Sequence, residues 1–437
     1  MIYKKLEEAS SKLKDEIFIV NENSVFTYGK AKKYVDQIAS GMIRRERQRL
    51  YLYRVDPVWA LLALFAAEKV GMDACVLNAD YSESQVSEAV ERVGDGLVLK
   101  NVDRLMAEER DQAVDTSYVG HLVVFTTGTT GPPKAVRYRW EDLLSQGHVR
   151  SGEEERRWLL FYPLSHFAGI QVLVHVLKNK STLVIPDSRD HEDVLQAIRD
   201  HRVTSMSATP TFWRLFAGRI SSDEAQTLPL KDITLGGEAA TRDVLDQLRG
   251  LFPDASISHV YATTEVGSCF SVRDGKPGFP KEFLNRTVGN VDLKVEDDEL
   301  YVRSSKSMEG YIDHEEKKSG EWIATGDLVE IGEERVFFRG RTSNSINVGG
   351  VKVYPLKVEE AILSVSGVQA ARVRGESNPI TGEVVTVDIE PSRGIDEKEL
   401  RNKIESKFKK ELSRYEQPRK VRVLDHIERK NGKITRQ

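Results

Sequence analysis

Cysteine is almost missing from this chain: two in 437 residues, Cys75 and Cys269. They lie far apart and without metal-ligand spacing, which argues against a disulfide framework or a zinc site and suits a reducing compartment. Long apolar runs are missing too. The longest, Val58 to Ala67, is too short to span a bilayer. The N-terminal MIYKKLEEASSKLKDE is charged and amphipathic rather than a secretory signal. A soluble, cytoplasmic protein without a membrane span is expected. Neither sign of charge dominates, the formal net charge being −4, so no nucleic-acid partner is expected. Internal repeats and low-complexity segments are also lacking.

What is present is an ordinary α/β composition in a chain long enough for a large core and more than one domain. One segment stands out, VVFTTGTTGPPKAV, Val123 to Val136. Val123, Val124 and Phe125 read as a buried strand. It feeds into Thr126, Thr127, Gly128, Thr129, Thr130 and Gly131, then Pro132, Pro133 and Lys134. Glycines allow close backbone approach, hydroxyls and N–H groups can face a polyanion, and a lysine supplies a mobile cation. That points to a nucleoside triphosphate. It is not a Walker A loop, because no glycine precedes Lys134 and Ala135 follows it.

Helical and strand patterns alternate to about residue 260, which predicts largely parallel sheets with helices packed on them. Ser84 to Val93 and Val194 to Arg199 read as helices, Trp158 to Tyr162 and Thr182 to Pro186 as strands. Val244, Leu245, Leu248, Leu251 and Phe252 share a helical face. From about 285 to 340 the pattern turns to short strands, with Leu300 and Val302 alternating and Val336 to Phe338 forming another. A boundary is expected at Gly340 to Gly350, dividing 1–340 from 341–437. Beyond it, Val358, Ile362 and Leu363 suggest a helix, Val384, Val387 and Ile389 a strand, and Leu400, Ile404, Phe408 and Leu412 a clear amphipathic helix. The stretch from Arg401 on carries eight more basic than acidic side chains, which fits a solvated face or an anionic ligand or carrier.

Other polar segments are weak singly and informative together. YATTE, Tyr261 to Glu265, offers an aromatic plane, the hydroxyls of Thr263 and Thr264, and in Glu265 a hard oxygen ligand for Mg²⁺. ATGDL, Ala324 to Leu328, sets Asp327 just after a glycine, where a carboxylate can accept from ribose hydroxyls. GGEAA, Gly236 to Ala240, reads as the opening of a helix after the strand Ile233 to Leu235 and as a floor for a flat ring.

With these segments in this order the chain resembles the adenylate-forming superfamily of acyl-CoA synthetases, peptide-synthetase adenylation domains and luciferases. The threonine–glycine loop is similar to its phosphate-binding signature. PLSHFAG (Pro163 to Gly169), YATTE, DELYVRSSKSMEGYI (Asp298 to Ile312), WIATGDL (Trp322 to Leu328), FRGRTSNSINVGGVKVYPLKVEEAI (Phe338 to Ile362) and NGKITR (Asn431 to Arg436) resemble further family motifs. LNADYSESQV, Leu77 to Val86, resembles the segment before the loop. The N-terminal part looks shorter than in many relatives.

The resemblance implies a large α/β domain with a small β subdomain, followed by a small mobile α+β domain. It implies ATP, Mg²⁺ and coenzyme A as cofactors. Residues Thr126 to Lys134 would hold the β- and γ-phosphates. Tyr261 would stack on adenine, with Gly237, Glu238 and Ala239 opposite. Thr264 would meet the α-phosphate, Glu265 the metal, and Asp327 and Arg341 the ribose. Lys433 matches the catalytic lysine between the substrate carboxylate and the α-phosphate, on a loop near the terminus. A hinge near Thr342 to Asn344 would let the terminal domain turn, bringing Gly349 and Gly350 beside a thiol channel. His166, Phe167, Gly169, Thr209, Phe212, Gly236 and Thr263 would line the acyl pocket, His166 as a candidate to gate it or orient the acyl group.

There are departures. Ala135 and Ala262 stand where the family often has glycine, and Ser343 and Asn344 where it often has an acidic hinge residue. No aspartate stands near PLSHFAG to hold an α-ammonium, which disfavours an amino acid. An aromatic or medium aliphatic carboxylate fits an apolar pocket better. The expected enzyme is an AMP-forming acyl- or aryl-CoA ligase. The open alternatives are an adenylation enzyme loading an acyl carrier protein, a non-catalytic nucleotide sensor, and an oxygenase of luciferase type.

Overall fold

The computed structural model describes residues 1–43, 49–106, 119–125, 134–146, 149, 152, 155–304, 310–312, 320–392, 394–430 and 432–435. The chain divides into two compact units, 1–207 with 262–268 and 304–321, and 208–261 with 269–303 and 322–437.

The first unit holds two sheets. In one, Arg49–Leu52 lies between Asp73–Val76 and Leu97–Leu99, and His121–Phe125 joins Asp73–Val76, all in parallel. Ala135–Arg139 closes antiparallel on His121–Phe125, with Phe125 opposite Ala135. The threonine–glycine loop therefore connects two strands of a hairpin. In the other sheet Ser205–Ala208, Arg157–Leu159, Thr182–Val184 and Ile17–Asn21 run parallel, and Ser24–Thr27 turns back along the edge. The expected strands at 158–162 and 182–186 end at Leu159 and Val184, although Leu160 N and Ile185 N still donate to the Val184 and Val20 carbonyls.

The long apolar run is a helix, Pro57–Lys69, buried from Val58 through Ala67 except for the partly exposed Trp59. A helix apolar on every side belongs in a core. This one shares a single core with Phe18, Ile19 and Leu183 of one sheet and Leu50, Leu122 and Val124 of the other. Its start is fixed locally: the Asp56 carboxylate accepts from the N–H groups of Val58 and Trp59 at 3.0 and 3.2 Å, and Pro57 occupies the first helical position. Among the described residues no helix is long and apolar enough to cross a membrane.

The second unit begins with the parallel strands Asp232–Gly236 and Ser256–Thr263. A five-stranded sheet follows, in the order Phe279–Pro280, Arg335–Arg341, Ile323–Ile331, Glu299–Ser304, Val291–Glu296. The last layer pairs Val368–Asn378 with Gly382–Pro391 along their length, with Lys420–Val423 parallel to the latter. The helices Pro355–Leu363 and Glu397–Glu411 cover it, burying Val358, Ile362, Leu400, Ile404 and Phe408 as their spacing predicts. GGEAA does not open a helix. Gly237 takes φ +79°, outside helical geometry, and the helix starts later, at Arg242–Leu251. Of its expected face, Val244, Leu245 and Leu248 are buried within the helix and Phe252 just beyond it.

The helix Pro355–Leu363 also carries two adjacent acids with different fates. Glu359 is buried and accepts from the Val373 N–H at 3.0 Å. Glu360, about a third exposed, meets Arg339 Nη1 at 3.4 Å. Burial dominates and raises its carboxyl to about 7; Arg339 and Arg214 oppose the rise, while Asp243 and Glu359 add to it. A carboxyl that binds its proton more tightly when folded gives its full stability below the unfolded value and loses it as pH rises through about 7. Glu360→Gln should therefore flatten the fall in stability between pH 5 and pH 8, read as urea midpoints; an unchanged slope would place Glu360 in water.

Candidate active site

The second unit gathers the expected residues around one cation. The end of the chain is not a loop but a short hairpin, Arg429–Lys430 against Lys433–Ile434, turned by Gly432 at φ +75°. Backbone pairing satisfies the ladder, and two side chains hold its flanks. Thr209 Oγ1 donates to the Gly432 carbonyl at 2.6 Å, and Arg372 Nη1 to the Thr435 carbonyl at 3.0 Å. Lys433 projects toward Gly237: a methyl placed there would sit 3.0 Å from its Cε and 3.1 Å from its Nζ. Only a residue that tolerates positive φ and lacks a side chain leaves that room. Burial pulls the Lys433 ammonium below its usual range; Glu238 and Asp327 oppose this, and Arg341 adds to it.

Glu238 and Thr209 share a second task. The helix Pro210–Ala217 starts beside the hairpin with orphan N–H groups. The Thr209 hydroxyl accepts from Phe212 N at 3.0 Å and the Glu238 carboxylate from Thr211 N at 3.1 Å. Thr209 is fully buried and Phe212 nearly so. The Thr209 hydroxyl is thus committed on both sides. Gly236 ends the strand before Gly237, and Ala239 lies in the loop that follows.

Asp327 sits opposite Arg341 across the antiparallel pair Ile323–Ile331 and Arg335–Arg341. Its Oδ1 accepts from Arg341 Nε at 2.9 Å and its Oδ2 from the Tyr261 hydroxyl at 2.7 Å. A carboxylate has about four acceptor positions, so two remain for other donors. Tyr261 is buried in an aromatic stack, 5.2 Å from Phe270 and 5.1 Å from Phe338 between ring centres. Burial, reinforced by Asp327, raises its hydroxyl well above the ordinary range, which keeps it a donor.

Sequence reasoning missed several supports. His259 is buried two residues before Tyr261, and its Nε2 lies 3.3 Å from the Glu238 carbonyl. Burial pulls its imidazole down to about 4, so it is neutral near pH 7. The alternation of SISHVY places His259 and Tyr261 on one face of their strand, a signal that was available. Phe270 and Phe338 could be read only as apolar, since nothing local links them to Tyr261. Gly349 and Gly350, expected beside a thiol channel, form the two-residue turn between Ile346–Val348 and Val351–Val353, with φ of +60° and +87°. That turn type demands such values.

The first unit holds the other expected residues. Thr126, Thr127, Gly128, Thr129, Thr130 and Gly131 lie outside the described residues; Lys134, beside Ala135 at the loop end of the hairpin, is exposed. His166 precedes the helix Phe167–Asn179, whose Gly169 and Ile170 N–H groups reach its carbonyl. Phe167 is buried against Tyr138, 5.2 Å away. Gly169 passes close to Pro163, whose carbonyl oxygen is 2.3 Å from where a methyl would be. Thr263 Oγ1 accepts from Val266 N at 3.2 Å, and Thr264 and Glu265 are half-buried beside it. Among the described residues no three His, Cys, Asp or Glu side chains cluster as metal ligands. A lone carboxylate such as Glu265 suits Mg²⁺, which is commonly held by one or two carboxylates together with substrate phosphates.

A model of the AMP-binding enzyme family matches residues 120–312, and a model of the AMP-binding enzyme C-terminal domain matches residues 357–433. A Staphylococcus epidermidis protein named as a long chain fatty acid-CoA ligase, VraA, is 25% identical over 435 residues, covering 96% of this chain and 93% of that one. The 2-succinylbenzoate–CoA ligase of Bacillus subtilis is 26% identical over 462 residues, covering 95% and 92%. The crystal structure of the anthranilate CoA ligase AuaEII in complex with anthranoyl-AMP has the same fold, with a TM-score of 0.87 over 99% of this chain and 95% of that one at 17% identity. The two family models together take in both the segment bearing the threonine–glycine loop and Lys433 itself, and the chain belongs to the adenylate-forming superfamily of AMP-binding enzymes.

Proposed function

We propose that this enzyme is an AMP-forming acid–thiol ligase that activates a carboxylic acid with ATP and passes the acyl group to coenzyme A. The observation that carries the reading is the ammonium of Lys433, drawn out of water beside Gly237 with Glu238, Asp327 and Arg341 about it. In the first half-reaction a carboxylate oxygen attacks the α-phosphorus and the bond to the pyrophosphate oxygen breaks. Two anions must approach, and a fixed cation between them is worth most where charge concentrates, in the transition state. In the second half-reaction the thiol sulfur attacks the acyl carbon, its proton is lost, and AMP leaves.

The remaining roles are assigned from the order of the family motifs. Asp327, steadied by Tyr261 and Arg341, keeps lone pairs for the two ribose hydroxyls. Tyr261, whose ring also packs against Phe270 and Phe338, is assigned to adenine, with Gly237 to Ala239 opposite. Thr264 serves the α-phosphate and Thr126 to Lys134 the outer phosphates. Mg²⁺, held by Glu265, would neutralise phosphate charge. His166, Phe167, Gly169 and Thr263 of the first unit, and Thr209, Phe212 and Gly236 of the second, are each assigned to the acyl group by their motifs. Residues 341–437 form the C-terminal domain, of which the part beyond Asn344 turns about Thr342 to Asn344 between the half-reactions, bringing Gly349 and Gly350 to the thiol. The relatives are named for coenzyme A, which favours it over a carrier protein as acceptor. They are named for acids as unlike as a fatty acid and 2-succinylbenzoate, so the acid here is assigned only as an aromatic or aliphatic carboxylate.

The decisive experiment is pyrophosphate release with ATP and Mg²⁺ over a panel of acids: 2-succinylbenzoate, anthranilate, benzoate and fatty acids of graded length. One or more should release pyrophosphate and, with coenzyme A, yield a thioester. ATP binding without release for any acid would leave a nucleotide sensor instead.

Two variants divide the mechanism. Lys433→Ala should lower adenylate formation by about 10²–10³-fold, the cost of removing one preorganised donor, while sparing thioester formation from supplied acyl-adenylate. An equal fall in both would remove the lysine from its assigned step. Asp327→Ala should weaken ATP binding by about 1.5–3 kcal/mol, the worth of a hydrogen bond to a charged group. Unchanged affinity in calorimetry would take Asp327 out of the nucleotide site.

A further inference from the structure

We infer that Thr209 is a positioning residue that latches Lys433 in place for the first half-reaction and releases it for the second. The inference rests on the ligase activity and domain turn proposed above.

Thr209 is a fully buried hydroxyl with both its hydrogen-bonding directions used. It accepts from Phe212 N at 3.0 Å, which caps the helix Pro210–Ala217, and donates to the Gly432 carbonyl at 2.6 Å. The acceptor belongs to the peptide that joins Gly432 to Lys433. That peptide is planar, so one bond to its oxygen fixes the plane from which the lysine side chain departs. Gly432 is also the turn of the hairpin, where a glycine at positive φ leaves the backbone otherwise free to swivel.

The hairpin's anchors differ in origin. Arg372 donates to the Thr435 carbonyl at 3.0 Å and grips the buried Asp388 through Nε and Nη2 at 3.0 and 2.8 Å. Arg429 Nη2 reaches Glu390 at 2.7 Å. Arg372, Asp388 and Glu390 stand on the paired strands Val368–Asn378 and Gly382–Pro391, within the segment proposed to turn. They would travel with the hairpin. Thr209 lies far upstream, at the head of a helix outside that segment. When the terminal domain turns, Arg372 and Arg429 keep their partners and Thr209 loses its own. A neutral hydrogen bond of this kind is strong enough to orient and weak enough to exchange for water at every turnover.

The test uses the full-length protein and three substitutions. Thr209→Val removes the hydroxyl at nearly constant shape. Thr209→Ser keeps it. Ser221→Ala removes an unrelated cap, the one that receives Glu224 N at 3.1 Å on the helix Ser222–Thr227. Three quantities are read: ATP–pyrophosphate exchange, thioester formation from supplied acyl-adenylate, and deuterium uptake by backbone amides of residues 428–435. Thr209→Val should lower the kcat of exchange about tenfold or more, the worth of one hydrogen bond, with little change in KM and none in the thioester step. It should also speed deuterium uptake in the hairpin. Thr209→Ser should restore most of the exchange rate, and Ser221→Ala should match the unaltered protein throughout. If Thr209→Val does not fold, Thr209→Gly serves, because glycine is a tolerable N-cap without a hydroxyl.

Unchanged exchange, an equal loss in both half-reactions, or unchanged uptake in the hairpin would each overturn the latch. Failure of the unaltered protein to turn over any acid would instead overturn the ligase reading, and the uptake experiment would still decide whether Thr209 holds the hairpin.

Discussion

A primary ammonium taken out of water is unfavourable unless anions meet it, and the candidate site is organised around that constraint. The carboxylates near Lys433 are Glu238 and Asp327, and each is also engaged by other donors. Glu238 accepts from the N–H of Thr211, and Asp327 divides its oxygens between Arg341 and Tyr261. Arg341 adds a second cation nearby. Burial lowers the proton affinity of Lys433, and Glu238 and Asp327 offset this only in part, leaving negative charge in short supply. A polyphosphate and a carboxylate would make it good. Under the proposed function, the anions of the substrates would supply that charge at the site.

The fold supplies this arrangement by bringing chain ends together. Gly236 and Gly237 leave the carboxyl end of one parallel strand, and Tyr261 stands near the same end of its neighbour. Open parallel sheets bind ligands at that edge because the loops there converge and the strands beneath them cannot shift. The antiparallel pair adds Asp327 and Arg341 at a shared register position, so their contact is set by backbone pairing rather than by side-chain chance. The aromatic stack of Phe270, Tyr261 and Phe338 then fixes where the tyrosine hydroxyl can point. Rigid packing of this kind makes orientation cheap at the moment of reaction.

Much of this could be read in the sequence, for reasons that differ by element. The helix Glu397–Glu411 was legible because Leu400, Ile404 and Phe408 repeat at a helical interval, and the strand His121–Phe125 because its apolar run is short and bounded by turn residues. The helix expected at GGEAA was not there, because glycine after a strand can as well bend the chain as begin a helix, and Gly237 bends it. The terminal lysine read as a loop residue because a two-residue strand has no periodicity to detect. Motif order pointed to Asp327, Tyr261 and Lys433, yet it said nothing of His259 beneath Glu238 or of Phe270 and Phe338 about Tyr261. Those depend on contacts between distant segments, which local pattern does not encode. The bond from Thr209 to Gly432 joins residues more than two hundred positions apart and belongs to the same class.

The position of the 3-10 turn Thr342–Asn344 bears on how two half-reactions share one set of residues. It follows directly on Arg341, the last residue of the strand that holds Asp327. A rotation there would leave the pairing of Asp327 with Arg341 intact and carry everything beyond Asn344, Lys433 included. Ser343 and Asn344 replace the acidic residue common in the family, but a turn needs only permissive backbone angles to bend, and these short polar residues provide them. The adenylate would then stay held by the ribose grip while the cation that helped to form it departs. On the proposed roles, negative charge would leave with pyrophosphate, the site would hold Lys433 less strongly after the first step, and the turn would be favoured then. A hinge placed upstream of Arg341 would forfeit this, since the ribose grip would break as the lysine left.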